Sequence, residues 1–395
     1  MNRAGGIAMT ISEYWLGVGV RSVSVGALVL GALPGLAEPV KWSGASIIDA
    51  VSYGVIPGAQ HDQSMALQAA LDAAGSAGGG TVRLAPGSVY AHGLSLPAKV
   101  CIEGAGSLGA TVLKLTNGSN TFLLASAAYV QDSPYSTLGG CLRNMTLDGN
   151  KANNPSGSLF ILEAYRFSAE HVDFNNSAAN GVLFIDESLH GVANVNNLAE
   201  VYFWHVAFDH NSGAGFYGNS RHGRLSDGWI TDSVVNANGT GQICNIHIER
   251  AAGFHITNNQ TYAAPSCELY LAGTGATVIN NNNFDGTANT ATSGPVRTAQ
   301  VILGGWGNAT IVGNIFHTQA KGLGGASGWN LLEISGAPGF TGEIAFSGNS
   351  FHSVSIPVEA ISIPASPEQA GIRLLAGGNI FGSNSAPPVN LPGLR

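Results

Sequence analysis

The residues best suited to chemistry are one histidine and two tyrosines in the middle of the chain. Tyr217, His247 and Tyr270 each follow an apolar residue in a short strand-like segment. An imidazole between two phenols could remove a proton from a substrate and return it, and a carboxylate such as Glu249 would fix the tautomer of the imidazole. We therefore expect His247 with Tyr217 or Tyr270 to act as base and acid, and Glu249 to orient the imidazole.

A cationic segment follows the first tyrosine and reads Arg221-His222-Gly223-Arg224. Such a segment could hold the carboxylate of a uronate sugar, and this contact would acidify the proton at C5 of the sugar. We expect Arg221 to take part in catalysis, and Arg224 and His222 to bind substrate. The other substrate-binding candidates flank the same strands: Asn219, Asn245 and Glu268. Together these residues predict a lyase that acts by β-elimination on a uronate-containing polysaccharide.

A glycoside hydrolase is the first alternative. Its mechanism needs two carboxyl groups about 5 to 9.5 Å apart across the scissile bond. Glu249, Glu268 and Asp186 could supply them, but their spacing follows no known motif. The polygalacturonase signatures Asn-Thr-Asp, Asp-Asp, Gly-His-Gly and Arg-Ile-Lys are absent from the sequence, and so is the Asp-Pro-His-Glu signature of mannuronan epimerases.

Two further alternatives need no catalysis. A tailspike or adhesin would use aromatic side chains to bind a glycan without an acid and base pair. An exported repeat protein could also be purely structural. Loss of turnover with retained binding in a His247 variant would favour an enzyme over a glycan-binding protein.

The candidate residues can meet only if successive repeats stack. Residues alternate between the two faces of a strand, so Ile246 and Leu269 point to one face while His247 and Tyr270 point to the other. Strands stacked as neighbours, roughly 4.8 Å apart, would place Tyr217, His247 and Tyr270 in one outward column.

A strongly apolar residue recurs along the chain at steps of 22 to 35 residues, at Leu147, Phe174, Phe208, Val235, Tyr262, Phe284, Phe316, Phe351 and Phe381. The position two residues earlier changes from apolar to amide: Met145, Val172, Val206, Ser233, Gln260, Asn282, Asn314, Asn349 and Asn379. Repeats of this length indicate a solenoid, and stacked asparagines can bond to each other along its axis. Gly, Asn, Thr and Val are poor helix formers, so the repeats predict an all-β, single-stranded parallel β-helix.

Composition narrows the classes of partner. The chain has 395 residues, of which 55 are glycines and only 10% are charged. This composition fits short strands joined by tight turns. The formal net charge is −8 and the pI is about 5.7, so nucleic acid is not expected as a partner. An anionic polysaccharide would need a local cationic patch. We expect a polysaccharide substrate, no cofactor and no metal; the sequence does not predict the oligomeric state.

The ends of the chain differ from its middle. Arg3 and Arg21 precede an apolar run, and the small residues Gly35 and Ala37 fit a cleavage site, so residues 1–37 are expected to form a signal peptide. A short core helix is the alternative for this segment. No other run is long and apolar enough to span a bilayer. We expect a secreted or periplasmic protein with one β-helix domain over residues 38–385 and an irregular tail over residues 386–395.

The four cysteines suit an exported protein, because oxidising compartments permit disulfides. Cys244 and Cys267 occupy the same position in successive repeats, so their Cα separation would suit a bridge. Cys101 and Cys141 would then pair by elimination, with weaker support from the register. The chain contains no Cys-x-x-Cys, which argues against a metal site.

The region before the repeats carries the most specific sequence signal. It contains Ser52-Tyr53-Gly54, His61-Asp62-Gln63-Ser64 and Ala66-Leu67-Gln68-Ala69-Ala70-Leu71, followed by Gly79-Gly80-Thr81-Val82-Arg83-Leu84-Ala85-Pro86-Gly87. Over residues 46 to 115 the chain closely resembles the opening of the pectate-lyase-like superfamily. The resemblance implies a right-handed parallel β-helix whose opening helix caps the solenoid, here within a cap region over residues 46–90. The superfamily includes lyases, hydrolases, epimerases and phage tailspikes, so the fold alone does not select a reaction.

The capping helix is predicted from Asp62, as N-cap, to Ala74. Met65, Leu67, Ala70, Leu71 and Ala74 would form its apolar face.

Overall fold

The structure is a computed structural model that describes residues 46–106, 109–273, 275–286, 299–304, 308–318, 330–335, 342–353, 358–362, 372–382 and 385–386. The predicted signal peptide over residues 1–37 and residues 387–395 of the predicted tail lie outside the described residues. All described residues belong to one compact unit, Gly44–Arg395.

The first helical elements cover the start of the solenoid. A 3-10 helix spans Ala50–Tyr53, and an α-helix spans Ser64–Ser76. The α-helix buries Leu67, Ala70, Leu71 and Ala74, as the spacing predicts, but Met65 is 88% exposed. Met65 precedes Leu67 by two residues, which is about 200° around a helix, so the two side chains lie on opposite faces.

The start of this helix also differs from the prediction. The N-cap residue is Gln63 rather than Asp62, and its side chain makes no capping hydrogen bond. Asp62 still contributes, because its carboxylate accepts hydrogen bonds from the backbone N–H of Ser64 at 3.3 Å and from the Ser64 hydroxyl at 2.5 Å.

Most described strands belong to two parallel sheets. One sheet has 21 strands among the described residues and bends into two arms, because the long strands Cys141–Asp148 and Ser168–Asn175 belong to both arms. The other strands of the first arm are Ser46–Asp49, Gly80–Arg83, Val100–Glu103, Val201–Trp204, Gly228–Thr231, His255–Thr257, Thr277–Asn280, Ala309–Val312, Gly342–Ser347 and Ile372–Gly377. Those of the second arm are Gly87–Ala91, Thr111–Leu115, Ala207–Asp209, Val234–Asn236, Gln260–Tyr262, Asn283–Asp285, Ile315–Thr318, Ser350–Ser353 and Ile380–Phe381.

The second sheet has 11 strands among the described residues. The two arms of the first sheet form two faces of the solenoid, so we call the second sheet the third sheet face. Its strands are Leu94–Leu96, Phe122–Ser126, Ser158–Leu162, Val182–Ile185, Phe216–Asn219, Ile246–Glu249, Leu269–Ala272, Ala299–Gly304, Asn330–Ser335, Val358–Ser362 and Ser385–Ala386. A short helix, Ala127–Val130, follows its second strand, and the strands Thr137–Leu138 and Ala164–Tyr165 form a separate pair.

Each coil contributes one strand to the first arm, one to the second arm and one to the third sheet face, and each strand pairs in parallel with its counterpart in the next coil. The chain is thus a right-handed parallel β-helix with an N-terminal capping helix, and the predicted fold is confirmed.

The interior is filled by stacked apolar side chains. Phe284, Phe316, Phe351 and Phe381 lie in register on the second arm, with ring centroids 5.2, 4.6 and 5.3 Å apart. Such ring pairs each contribute roughly 0.5–1.5 kcal/mol beyond the burial of their area. The predicted recurrence is wrong at one coil: Thr261 pairs with Phe284, and Tyr262 points outward. A shift of one residue moves a side chain to the opposite face of a strand.

The asparagines form a continuous interior ladder, as predicted, except that Asn259 replaces Gln260 as its first member. Asn282 Nδ2 donates to Asn314 Oδ1 at 3.0 Å, and Asn314 Nδ2 donates to Asn349 Oδ1 at 3.0 Å. Each side chain also bonds to the backbone of neighbouring coils, as when Asn314 Nδ2 donates to Ile279 O at 2.8 Å. These bonds satisfy amides that are buried, which would otherwise be costly.

Two disulfides connect adjacent coils in the predicted pairings. Cys101 and Cys141 have Cα atoms 4.3 Å apart, and Cys244 and Cys267 have Cα atoms 4.6 Å apart. In the part of the chain that the structure describes, none of the helices has the length and apolar character needed to span a membrane.

Candidate functional site

Three successive strands of the third sheet face bring the predicted residues together. Tyr217 pairs in register with His247, and His247 pairs with Tyr270. Their ring centroids are 5.0 and 4.5 Å apart. We call these three residues the Tyr217 column. The column points outward because the alternate residues of each strand, such as Ile246 and Ile248, fill the core.

The imidazole at the centre of this column is covered. His247 is only 2% exposed, whereas Tyr217 and Tyr270 are partly exposed. His247 Nε2 lies 3.0 Å from Glu249 Oε1, so the carboxylate favours the tautomer in which Nε2 carries the proton. Asn219 lies in register with Glu249, as predicted.

The environment of Tyr217 keeps its phenol protonated. Burial is the largest cause that raises its pKa, and the negative charge of Glu249 adds to the rise. The positive charges of Arg221 and Arg250 act in the opposite direction. These interactions place one carboxylate and two guanidinium groups in the electrostatic neighbourhood of the same phenol.

The cationic segment is held by a buried carboxylate. Asp186 accepts hydrogen bonds from the Ser220 hydroxyl at 2.8 Å and from the backbone N–H groups of Arg221, His222 and Arg224 at 2.8, 2.9 and 3.1 Å. Charge-assisted bonds of this kind are roughly twice as strong as neutral ones. Asp186 therefore fixes the backbone that carries both arginines.

The side chains of this segment remain near the surface. The Arg221 guanidinium contacts the Glu187 carboxylate, and His222 Nε2 lies 3.5 Å from Glu187 Oε2. Arg221 and Arg224 are exposed. A third arginine, Arg250, comes within 3.5 Å of Asn219 Oδ1 through Nη2.

Two predicted substrate-binding residues lie inside the solenoid instead. Asn245 and Glu268 are fully buried, and the Asn245 amide donates to the Glu268 carboxylate and to Tyr262 O. Glu268 Oε1 accepts the backbone N–H of Ala264 at 3.2 Å. Both residues precede their strands, at a turn where strict alternation does not apply, so the prediction that they face outward is wrong.

Of the three carboxyl groups considered for a hydrolase, only that of Glu249 is partly exposed. Asp186 and Glu268 are buried and bonded to backbone groups.

Sequence reasoning missed a buried carboxyl near this segment. Glu163 follows the strand Ser158–Leu162 directly and is fully buried, with Oε1 accepting the Asn194 amide at 2.8 Å. Burial raises the pKa of Glu163 to about 7, and the charges of Asp186, Asp132 and Glu187 add to the rise. A lone acid in the apolar run from Leu159 to Ala164 was the available signal.

Metal ligation has no support within the described ranges, where groups of three or more His, Cys, Asp or Glu side chains able to hold an ion do not occur.

Fold and site together define a parallel β-helix protein with an aromatic, histidine-centred column on one outer face. The family described as "Rhamnogalacturonase A/epimerase, pectate lyase-like" matches residues 47–268, which is more than half of the chain. The chain therefore belongs to this family.

The chain is also similar to curated proteins over part of its length. Mannuronan C5-epimerase AlgE6 of Azotobacter vinelandii is 40% identical over 109 residues, which are 26% of this chain and 12% of the relative. The chain thus matches only about an eighth of that relative's length.

Two solved structures share the fold. The A-module of mannuronan C-5 epimerase AlgE4 from Azotobacter vinelandii has a TM-score of 0.55 at 17% identity, covering 88% of this chain and 99% of the module. Tailspike protein 2 of the Escherichia coli O157:H7 bacteriophage CAB120 has a TM-score of 0.57 at 12% identity, covering 87% of this chain and 42% of the tailspike. At these identities the likeness concerns the fold alone.

Proposed function

We propose that this protein acts on a polysaccharide and that its Tyr217 column removes the C5 proton of a uronate residue. One arrangement carries the proposal: His247 lies between the phenols of Tyr217 and Tyr270 and is bonded to Glu249. The charges of Arg221 and Arg250 act on the phenol of Tyr217.

The two phenols have different roles in this proposal. Tyr217 is the acid, because burial and Glu249 raise its pKa and so keep its proton in place. Tyr270 is the base, since His247 lies closer to its ring and can accept its proton. The column spans three coils, so the phenols are two strand spacings apart, roughly 9.6 Å. The His247 ring fills the space between them, so the sugar would lie across the outer edges of the column. The ring of His247 is covered, so it does not contact the sugar and acts on it only through Tyr270.

The arginines supply the charge that this chemistry needs. Removal of the C5 proton sends the electron pair into the uronate carboxylate, and the resulting negative charge is stabilised by a guanidinium group. Arg221 is our first choice because Asp186 fixes its backbone, and the substrate carboxylate would share or replace its contact with Glu187. Arg224 and Arg250 remain secondary candidates for the same contact.

Two outcomes can follow this first step. In β-elimination the electron pair returns to form the C4–C5 double bond, the C4–O4 bond breaks, and Tyr217 protonates the leaving oxygen. In epimerisation the proton returns to the opposite face of C5 and no bond in the chain breaks. Elimination is our first choice. The name of the relative that is 40% identical over 109 residues favours epimerisation as the second candidate.

A panel of polysaccharides tests the proposal. Purified protein is incubated in D₂O with polymannuronate, polygalacturonate and a neutral glucan. Elimination gives ultraviolet absorbance and new reducing ends, epimerisation gives deuterium at C5 with neither, and hydrolysis gives reducing ends alone. Turnover of the neutral glucan but of neither uronate polymer would contradict the proposal.

A matched pair of variants tests the base. Tyr270→Phe keeps the ring and removes the hydroxyl, and we expect it to abolish turnover while binding persists. Tyr135→Phe is the control, because Tyr135 is 61% exposed in a different loop. Binding to a uronate polymer without turnover in the wild type would instead favour a glycan-binding protein, which is the alternative that the tailspike-like fold suggests.

We also propose that the protein works outside the cytoplasm after removal of residues 1–37. Two disulfides between adjacent coils support an oxidising compartment. N-terminal sequencing of the exported protein tests the cleavage site, and a mature chain that begins at Met1 would contradict it.

A further inference from the structure

A second aromatic column lies on the first arm, on the same three coils as the Tyr217 column. Tyr202, Trp229 and His255 pair in register, and their rings stack nearly parallel with centroids 4.4 and 5.1 Å apart. We call these residues the Tyr202 column. It is limited to three coils, because Ser168 precedes it and Val278 follows it in register.

The rings of this column are open to solvent at one end. The facing surfaces of the three rings cover each other, so the ring edges and the two terminal faces remain. One terminal face is that of Tyr202 on the side of Ser168, and the other is that of His255 on the side of the larger Val278. Tyr202 is 41% exposed. A phenol with one open face beside a small residue is a platform on which another flat group can stack.

A second large ring extends this platform along the same strand. Trp204 follows Tyr202 by two residues, points to the same side, and is also 41% exposed. Its indole stacks on His205 at 4.4 Å, and its Nε1 donates to Asp232 Oδ2 at 3.2 Å. These contacts fix the orientation of the indole, so little conformational entropy would be lost on binding.

Charged groups adjoin the two rings. Glu170 pairs in register with Trp204, and Arg143 pairs with Glu170 in the preceding coil. Arg143 Nε lies 3.7 Å from Glu170 Oε2, and His171 Nδ1 lies 3.8 Å from Glu170 Oε1. All three side chains are partly exposed, so hydrogen-bond donors and acceptors lie on the side of Trp204 that faces the preceding coils.

This combination fits a sugar ring. A pyranose has a flat C–H face that stacks on an aromatic ring and a rim of hydroxyl groups that bond to carboxylate and guanidinium groups. We propose that Tyr202 and Trp204 form a second glycan-binding surface that holds a polysaccharide chain away from the Tyr217 column. The inference rests on the proposed function, because it takes the polysaccharide substrate from there.

Affinity electrophoresis tests the surface. Native gels contain polymannuronate or, separately, hydroxyethylcellulose, and compare the wild type with the double variant Tyr202→Ala/Trp204→Ala. We expect the double variant to bind the retarding polymer about tenfold more weakly. Tyr202→Phe/Trp204→Phe should retain binding because it keeps both rings, and Tyr135→Ala is the control for an exposed tyrosine elsewhere.

The outcomes separate this inference from the proposed function. Equal retardation of the wild type and the alanine double variant in both gels would overturn the inference, as would no retardation of the wild type. A wild-type dimer that becomes a monomer in the double variant would also overturn it, because a second copy would then cover the surface. If the gel polymer retards the wild-type protein but the protein shows no turnover, the proposed function is contradicted and the glycan-binding surface is not.

Discussion

The same three coils carry two aromatic columns, and the differences between them lie in their surroundings rather than in their residue types. In the Tyr217 column the imidazole is central, covered and bonded to Glu249. In the Tyr202 column the imidazole of His255 is terminal and partly exposed. Stacking in register is thus common to both, whereas a covered imidazole bonded to a carboxylate distinguishes the column suited to proton transfer.

The largest expected effect is on turnover, and it tests whether only one column is catalytic. Tyr217→Phe removes the proposed acid and should lower turnover by about 10²–10⁴-fold, the usual contribution of a general acid. His255→Gln changes the imidazole at the far end of the other column, which lies outside the proposed glycan-binding surface, and should leave turnover unchanged. Initial rates on the substrate found in the panel give the answer. Similar losses in both variants would show that the distinction is wrong.

The next effect is on stability and depends on pH. The pKa of Glu163 rises from 4.5 to about 7 on folding, so the native state holds this proton more tightly than the unfolded state. The free energy of unfolding should therefore fall as pH rises from 4.5 to 7, by up to about 3 kcal/mol. Denaturant unfolding at pH 4.5, 6 and 8 measures this change.

Glu163→Gln imitates the protonated acid and should remove most of this pH dependence while stabilising the protein at pH 8. Glu200→Gln is the matched control, since Glu200 lies at the surface in an ion pair with Arg166. If the unfolding free energy of Glu163→Gln depends on pH as steeply as that of the wild type, Glu163 is not the group responsible for this pH dependence.

The two histidines give a smaller difference in stability. His247→Gln alters a covered ring between two phenols and should lower the free energy of unfolding by about 2 kcal/mol. His255→Gln changes a partly exposed ring and should cost no more than about 0.5 kcal/mol. Thermal unfolding of both variants compares them directly. Equal losses of unfolding free energy in the two variants would mean that the burial of His247 does not make its column more important for stability.

The smallest effect concerns the loop of residues 220–224, which follows the strand that carries Tyr217. Asp186→Asn keeps the shape of the side chain but removes the charge that holds residues 220–224. We expect kcat/KM for a uronate polymer to fall about tenfold, because Arg221 both binds the substrate carboxylate and stabilises the charge that develops on it. An unchanged kcat/KM would show that the loop does not position Arg221 for the reaction.

The sequence predicted the fold and the main column because both follow from repetition. The Asn-x-Phe pattern defines one coil each time, and the step from His247 to Tyr270 matches one such coil. A single-residue error at Tyr262 shows the limit of this reasoning, because spacing alone does not identify the inward position where Thr261 replaces the large ring.

Contacts made by turns were beyond prediction. Asp186 binds residues that follow it by 34 to 38 positions, and nothing in the local sequence indicates that their backbone N–H groups converge on it. Asn245 and Glu268 turn inward because they precede their strands. The sequence does not identify Tyr202 and Trp204, because Val201-Tyr202-Phe203-Trp204 is apolar throughout and its two faces differ only in solvent exposure.

The interior asparagine ladder has a consequence for how such a chain can lengthen or shorten. Asn314 bonds backward to Ile279 O and forward to Asn349 Oδ1, so every rung is completed by the turns on both sides. Successive members of the ladder are nevertheless 23, 32, 35 and 30 residues apart, so the segments between strands differ in length without breaking it. Removing an asparagine would break two sets of amide bonds, whereas removing one entire coil would bring matching amides together again. Length variation in this half of the molecule is therefore confined to the segments between strands and to whole coils.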